Sequence, residues 1–227
     1  MNEGEQLFLA EAHSVVESYG KLKIVATNQK AIISGELDLI DKQGNYHDTY
    51  SIEIHPVSNY PNRFPLVSEV GGRIPRNIDW HVFESDGHCC IKTLPEEILA
   101  CRKGIDLISF IKDEVEPYFY SQTFRRLNGY FLNERAHGLL GYIEFFSEVL
   151  ETKDIREMTQ WLFFILQRRE PNRVAKKCFC GKNVMYRHCH RNAYRKLAAF
   201  SDEELKCFIA KLHEISIKIY GKGAFHR

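Results

Sequence analysis

Residues 60–91, YPNRFPLVSEVGGRIPRNIDWHVFESDGHCCI, constrain this chain more than any other stretch. Pro61, Pro65 and Pro75 each lack an amide N–H, and Gly71, Gly72 and Gly87 loosen the backbone between them. At this density a continuous helix cannot form. The pattern predicts a short strand over residues 65–70 and then a long ordered loop. That loop runs through Trp80-His81-Val82 and a turn at Ser85-Asp86-Gly87 to two adjacent cysteines, Cys89 and Cys90. A cysteine just past a turn can be accessible while its backbone is held rigidly, which is what a nucleophile needs.

The chain before this loop reads as one helix and then strands. Residues 6–18 carry Leu7, Ala10, Val15 and Val16 near helical spacing. Residues 22–26, 32–40 and 46–55 read as strands. Ile33, Gly35, Leu37 and Leu39 share one side of the second, and Tyr50, Ile52 and Ile54 share one side of the third. Asp41-Lys42-Gln43-Gly44-Asn45 suits a hairpin connection. A helix followed by an antiparallel meander predicts an α+β layer. After the cysteines a short helix is expected over 94–103, and a clearer one over 105–119 that Pro117 should end or kink. Further helices are expected over 139–150, 156–167 and, behind the capping box Ser201-Asp202-Glu203-Glu204, from 202 to about 220. The polar residues 151–154 make a boundary between a first domain, 1–150, and a second, 151–227.

The 227 residues carry 44% hydrophobic and 12% aromatic side chains, enough for a packed core, and a net charge of +1 that favours no class of partner. No apolar run approaches the length of a membrane span, and the acidic start Met1-Asn2-Glu3-Gly4-Glu5 is no signal segment. The expected compartment is therefore the reducing cytoplasm. There, seven cysteines read as thiols, metal ligands or a nucleophile rather than disulfides.

Taken alone, Cys89 and Cys90 read first as small buried side chains. If one is a nucleophile, acyl transfer builds charge on a carbonyl oxygen, and a fixed donor there is worth roughly 3–4 kcal/mol. Asn77 and His81 are the candidates nearest in sequence, and His81 could also accept a proton. The competing reading of His81 is a loop residue bonded to backbone. Asp86 reads as a turn former, Cys101 and His137 as structural.

The order Tyr-Pro, Pro-x-Val, a His-containing loop and Gly-x-x-Cys resembles the ubiquitin-conjugating (UBC) fold over roughly residues 6–150. The likeness is closer to divergent bacterial members of anti-phage operons such as CBASS. It implies a four-stranded antiparallel meander with flanking helices, and it makes Cys90, three residues after Gly87, the thioester-forming cysteine. Where the family has His-Pro-Asn, this chain has Trp80-His81-Val82, so the family asparagine has no counterpart in that motif. The implied partner is a protein supplying a C-terminal carboxyl, either a ubiquitin-like protein or a CBASS nucleotidyltransferase, with an activating enzyme upstream.

The sharpest local signal lies further on. Cys178-Phe179-Cys180-Gly181 and, nine residues later, Cys189-His190 supply four soft or borderline donors of the kind tetrahedral zinc takes. The spacing resembles the SEC-C zinc motif, with Gly181 and Tyr186 at its supporting positions and Lys182-Asn183 replacing the usual Ser-Gly. Cys178, Cys180, Cys189 and His190 are the implied ligands, with His188 in competition. Residues 168–196 hold ten Lys/Arg and one acid, Glu170. A segment so short and basic is expected to depend on its ion for folding. The sequence therefore predicts an α+β, UBC-like conjugating domain followed by a small helical zinc-binding region. Membrane and nucleic acid are not expected partners. Two other readings stay open: a UBC-shaped binding module without chemistry, and a small zinc-dependent nucleic-acid binder.

Overall fold

The structure, a computed structural model, describes residues 2–27, 30–132, 134–172 and 177–220. It divides into two compact units, Met1–Lys92 with Glu96–Glu134, and Thr93–Pro95 with Arg135–Arg227.

The first unit opens with α1 (Glu3–Ser18) and continues through β1 (Leu22–Ala26), β2 (Ala31–Ile40), β3 (Tyr46–His55) and β4 (Leu66–Glu69). Helix α1 starts earlier than its apolar spacing predicts. Asn2 accepts the Glu5 amide at 2.9 Å and Glu5 returns a carboxylate to the Asn2 amide at 3.1 Å, a reciprocal cap that satisfies two end donors. The strands form one four-stranded antiparallel sheet in the order β1-β2-β3-β4. Alternation sets the register. Leu37 lies opposite Tyr50 and Ile54 opposite Val67, and all four are buried on the same face. Gly35 is needed where β2 meets β1, because a Cβ there would overlap the Lys21 carbonyl. Asp41 ties the β2–β3 hairpin by accepting the amides of Gln43 and Asn45 at 2.9 and 2.8 Å.

Pro117 does not end the helix. Helix α3 (Leu107–Phe110) passes into a wider π turn (Ile111–Val115) and then directly into α4 (Glu116–Asn128). The Glu116 amide reaches back to the Ile111 carbonyl, and Pro117 follows at the second position of α4, just past the widened turn. The widened turn absorbs the proline. Helix α4 packs on the sheet through Phe119 against Tyr50, ring centroids 4.7 Å apart, and Tyr50 Oη shares a 2.9 Å hydrogen bond with Thr123. Beside them the buried Asp48 carboxylate meets Arg73 at 2.8 Å, Arg126 at 2.8 Å and Thr123 at 2.9 Å. Burial works against that charge, yet the two guanidiniums and the hydroxyl hold the group well below the usual carboxylate range. In chain order the long loop is followed by α2 (Leu94–Ala100), which ends in a 3-10 turn (Cys101–Lys103).

The second unit contains α5 (Gly138–Leu150), α6 (Ile155–Leu166), α7 (Arg191–Leu197) and α8 (Asp202–Tyr220). The boundary expected at 150/151 falls instead at 134/135. The reason is aromatic packing: Phe146 and Tyr142 of α5 set their edges on Phe208 of α8 at 5.5 and 5.7 Å, and Phe145 meets Phe200 at 6.4 Å. Helix α5 thus buries its face with the C-terminal helices. The Ser201–Glu204 capping box forms as expected, with bonds of 2.7 and 3.2 Å. Residues 173–176 of the basic window lie outside the described residues.

Leu37 is fully buried, so Leu37→Ala is expected to destabilise the first unit by about 2–5 kcal/mol. Urea denaturation read by tryptophan fluorescence checks this; a shift under 1 kcal/mol would contradict the core assignment.

Candidate functional site: the cysteine loop and the ligand cluster

The loop leading to the cysteines is built by a chain of backbone bonds. Asn77 caps a 3-10 turn (Ile78–Trp80) by accepting the Asp79 amide at 2.8 Å. The turn ends at His81, whose φ of 53° lies in the left-handed region, a conformation that costs a non-glycine residue roughly 1–2 kcal/mol. Val82 then pairs with Cys89 and Ser68 with His88, which docks the loop onto the β4 edge. The Cys89 amide donates to the Val67 carbonyl at 2.7 Å, and the Cys90 amide donates to the His81 carbonyl at 2.7 Å. Gly87 closes the intervening turn with φ 82°. Asp86 acts there as the expected turn former, accepting the His88 amide at 3.3 Å and its Nδ1 at 2.6 Å. His88 stacks on Phe83 at 4.3 Å.

The two cysteines part company. Cys89 is 5% exposed and belongs to the core, whereas Cys90 is half-buried. A ring nitrogen of His81 lies within 4.8 Å of Cys90 Sγ. Burial, and then the charges of Glu96 and Glu97, push the Cys90 thiol up to about 11. It is therefore protonated at neutral pH and needs a proton acceptor to react as thiolate. Asn77 keeps its Oδ1 on the turn, which leaves its amide NH₂ as the donor it could offer. Cys101 is buried and pushed up to about 12 by that burial, in keeping with a structural role. His137 sits just ahead of α5, its carbonyl accepting the Leu140 and Gly141 amides.

Sequence reasoning missed the groups that hold this loop from behind. Tyr118 Oη donates to the His81 carbonyl at 3.0 Å and Gln122 Nε2 to the Trp80 carbonyl at 2.8 Å. Arg125 donates to the Asp79 carbonyl while its guanidinium lies between the Trp80 and Phe131 rings, 4.2 and 4.6 Å from their centroids. The available signal was three hydrogen-bonding side chains at i, i+4 and i+7 on one face of α4.

The second cluster gathers its four donors as expected. One ligand atom from each of Cys178, Cys180, Cys189 and His190 lies within 4.8 Å of the others. Cys180 and Cys189 sulfurs are 3.7 Å apart, and His190 Nδ1 is 3.4 Å from Cys178 and 3.0 Å from Cys189. Ligands at zinc-like bond lengths around a tetrahedral ion would stand roughly 3.5–3.8 Å apart, so the spacing fits a metal with little rearrangement. Gly181, with φ 79°, turns the chain between the first pair of cysteines and the rest. His190 Nε2 meets the Leu150 carbonyl at 3.1 Å. That carbonyl belongs to the last turn of α5 and has no partner within its helix. The bond places the proton on Nε2 and leaves the Nδ1 lone pair for an ion. His188 is exposed and accepts from Arg187 at 2.9 Å, outside the cluster.

Aromatic side chains pack around the cluster. Phe179 stacks on Phe164 of α6 at 4.6 Å, Trp161 sets its edge on His190 at 4.3 Å, and Tyr186 and Tyr194 are buried. Glu170 draws in Arg195 at 3.0 Å and Tyr186 at 3.2 Å, offsetting part of the local positive charge. The segment therefore buries Cys178, Tyr186 and Tyr194 despite its basic composition.

Among the described residues no helix is long and apolar enough to cross a membrane. In comparisons with known proteins the chain matches no family model, no curated protein and no solved structure.

Metal analysis of the purified chain is expected to find about one ion per chain and almost none in His190→Ala. Thermal melting should place that variant several degrees lower, because it also loses the Leu150 bond. Undiminished metal content would remove His190 from the ligand set.

Proposed function

We propose that this chain is a ubiquitin-conjugating-like acyl carrier that uses Cys90 to hold the C-terminus of another protein as a thioester. The observation that carries the reading is a half-buried cysteine on a rigidly bonded loop with an imidazole nitrogen within 4.8 Å, next to a second cysteine that faces the core. The order of helix, four-stranded meander, loop and cysteine supports the resemblance drawn from the motifs.

In this reading the acyl group arrives on the thiol of an activating partner. The Cys90 sulfur attacks the carbonyl carbon as its proton passes to His81. A new C–S bond forms, the old one breaks, and the departing thiolate takes up the proton. An amine then attacks the Cys90 thioester, an amide forms, and the thiol is released. Asn77 Nδ2 is the donor proposed for the oxyanion. The donor protein is a ubiquitin-like protein or a nucleotidyltransferase tail, and the setting is anti-phage defence in a bacterial cytoplasm. Cys178, Cys180, Cys189 and His190 would hold a structural zinc, because their four donor atoms, all within 4.8 Å of one another, are enough to complete a tetrahedral shell.

The raised affinity of Cys90 for its proton favours a second reading, a binding module of the same shape without chemistry. A glycine-ending peptide presented as an alkyl thioester separates the two. Its acyl group should transfer to the chain as a mass adduct that excess thiol removes, and Cys90→Ala should abolish transfer. An adduct surviving in Cys90→Ala, or none in the unaltered chain, sinks the carrier reading. For the metal, about one zinc per chain should fall to near zero in Cys178→Ser with Cys189→Ser; unchanged zinc would dismiss the site.

A further inference from the structure

The 3-10 turn before the cysteines ends in three successive carbonyls, those of Asp79, Trp80 and His81, that point away from any continuing helix. Carbonyls at a helix end lack partners unless something outside supplies donors. Here one face of α4 supplies all three, from Arg125, Gln122 and Tyr118 in that order. Helix α4 gives one side-chain donor to each carbonyl, along antiparallel runs of backbone and helix. Gln122 is 1% exposed, and its Nε2 makes this bond while its buried Oε1 has no hydrogen-bond partner among the described residues. Burial, with the neighbouring Cys89 adding to it, keeps Tyr118 a phenol that retains its proton for donation.

The His81 carbonyl is the meeting point. It accepts Tyr118 Oη at 3.0 Å and the Cys90 amide at 2.7 Å. Its ring meets Phe131 edge-on at 4.7 Å, and Phe131 also covers the Arg125 guanidinium. The left-handed backbone of His81 is thus fixed from the carbonyl side by α4 and from the ring side by Phe131. A strained conformation persists only where its surroundings over-determine it. The helix could have packed here with apolar side chains; instead it spends its most buried polar group on the Trp80 carbonyl.

We infer that Tyr118, Gln122 and Arg125 form a positioning device that holds the His81 imidazole at the Cys90 sulfur, a role that rests on the acyl-carrier reading. Tyr118 bonds the His81 carbonyl itself, and Gln122 and Arg125 act on His81 through the carbonyls of Trp80 and Asp79 that lead to it. The device explains how a chain without the family's His-Pro-Asn order can keep a proton acceptor beside its cysteine: tertiary bonds from α4 do what a proline-stiffened loop would do locally.

The test uses alkylation of the full-length chain by iodoacetamide at one fixed pH, followed as the mass of the Cys90 peptide. In this reaction the Cys90 sulfur bonds to carbon, iodide leaves, and the thiol proton passes to His81 and then to water. Tyr118→Phe and Gln122→Leu are each expected to slow Cys90 alkylation about ten-fold, toward the rate of His81→Ala. Placed in the His81→Ala background, neither should slow it further. Simple loosening of the loop would act in the opposite direction, speeding Cys90 and exposing the buried Cys101, which serves as the internal gauge. Arg125→Lys, which loses the planar stack but keeps a charge, is expected to fall between the unaltered chain and Gln122→Leu. Rates in the two single variants that match the unaltered chain overturn the inference. So do effects that persist unchanged without His81, or a rise at both Cys90 and Cys101. Because the probe needs no acyl donor, failure of peptide-thioester transfer with the alkylation pattern intact would count against the carrier reading alone.

Discussion

The first unit turns on a single backbone hydrogen bond, from the Cys90 amide to the His81 carbonyl at 2.7 Å. It closes a loop that leaves β4, makes a short turn, and comes back to pair with the β4 edge through His88 and Cys89. Without it the alternation that sends Cys89 into the core would not leave Cys90 beside His81. The sheet supplies the rigid edge, and α4 supplies donors for the carbonyls the turn leaves bare. A loop otherwise rich in glycine and proline is thereby held at both ends and in the middle.

The second unit solves a different problem with the same economy of end groups. Its ligand cluster is fixed to the helices by the His190–Leu150 bond, which satisfies an end carbonyl of α5 and orients the imidazole together. The aromatic layer of Trp161, Phe164 and Phe179 packs directly behind it. One side chain, His190, thus belongs both to the candidate ligand set and to the helix packing. Tyr186 and Tyr194 are buried beside the cluster, so an ion there would sit against packed aromatic side chains.

Much of the layout could be read from residues a few positions apart. The alternation at Ile33, Leu37 and Leu39 and at Tyr50, Ile52 and Ile54 gave strands that are buried on the expected side. The Ser201–Glu204 cap and the Asp41–Asn45 hairpin followed from turn chemistry alone. The ligand cluster was legible because its donors arrive in two close pairs. Pro117 misled because a proline forbids one hydrogen bond and not a helix, and the π turn before it removes the need for that bond. Helix α5 was placed with the wrong neighbours because an aromatic amphipathic helix announces that it will be buried without saying against what.

By itself the sequence determined the antiparallel meander, the position of the cysteine-bearing loop and the grouping of Cys178, Cys180, Cys189 and His190, since each depends on local periodicity, turn chemistry or close spacing. Only the tertiary structure decided which of two adjacent cysteines stays half-buried, that His81 stands beside it, and that α4 holds the loop. Those choices rest on hydrogen bonds between residues 37 to 46 positions apart. No local pattern encodes them, because their geometry exists only once the helix has packed on the sheet.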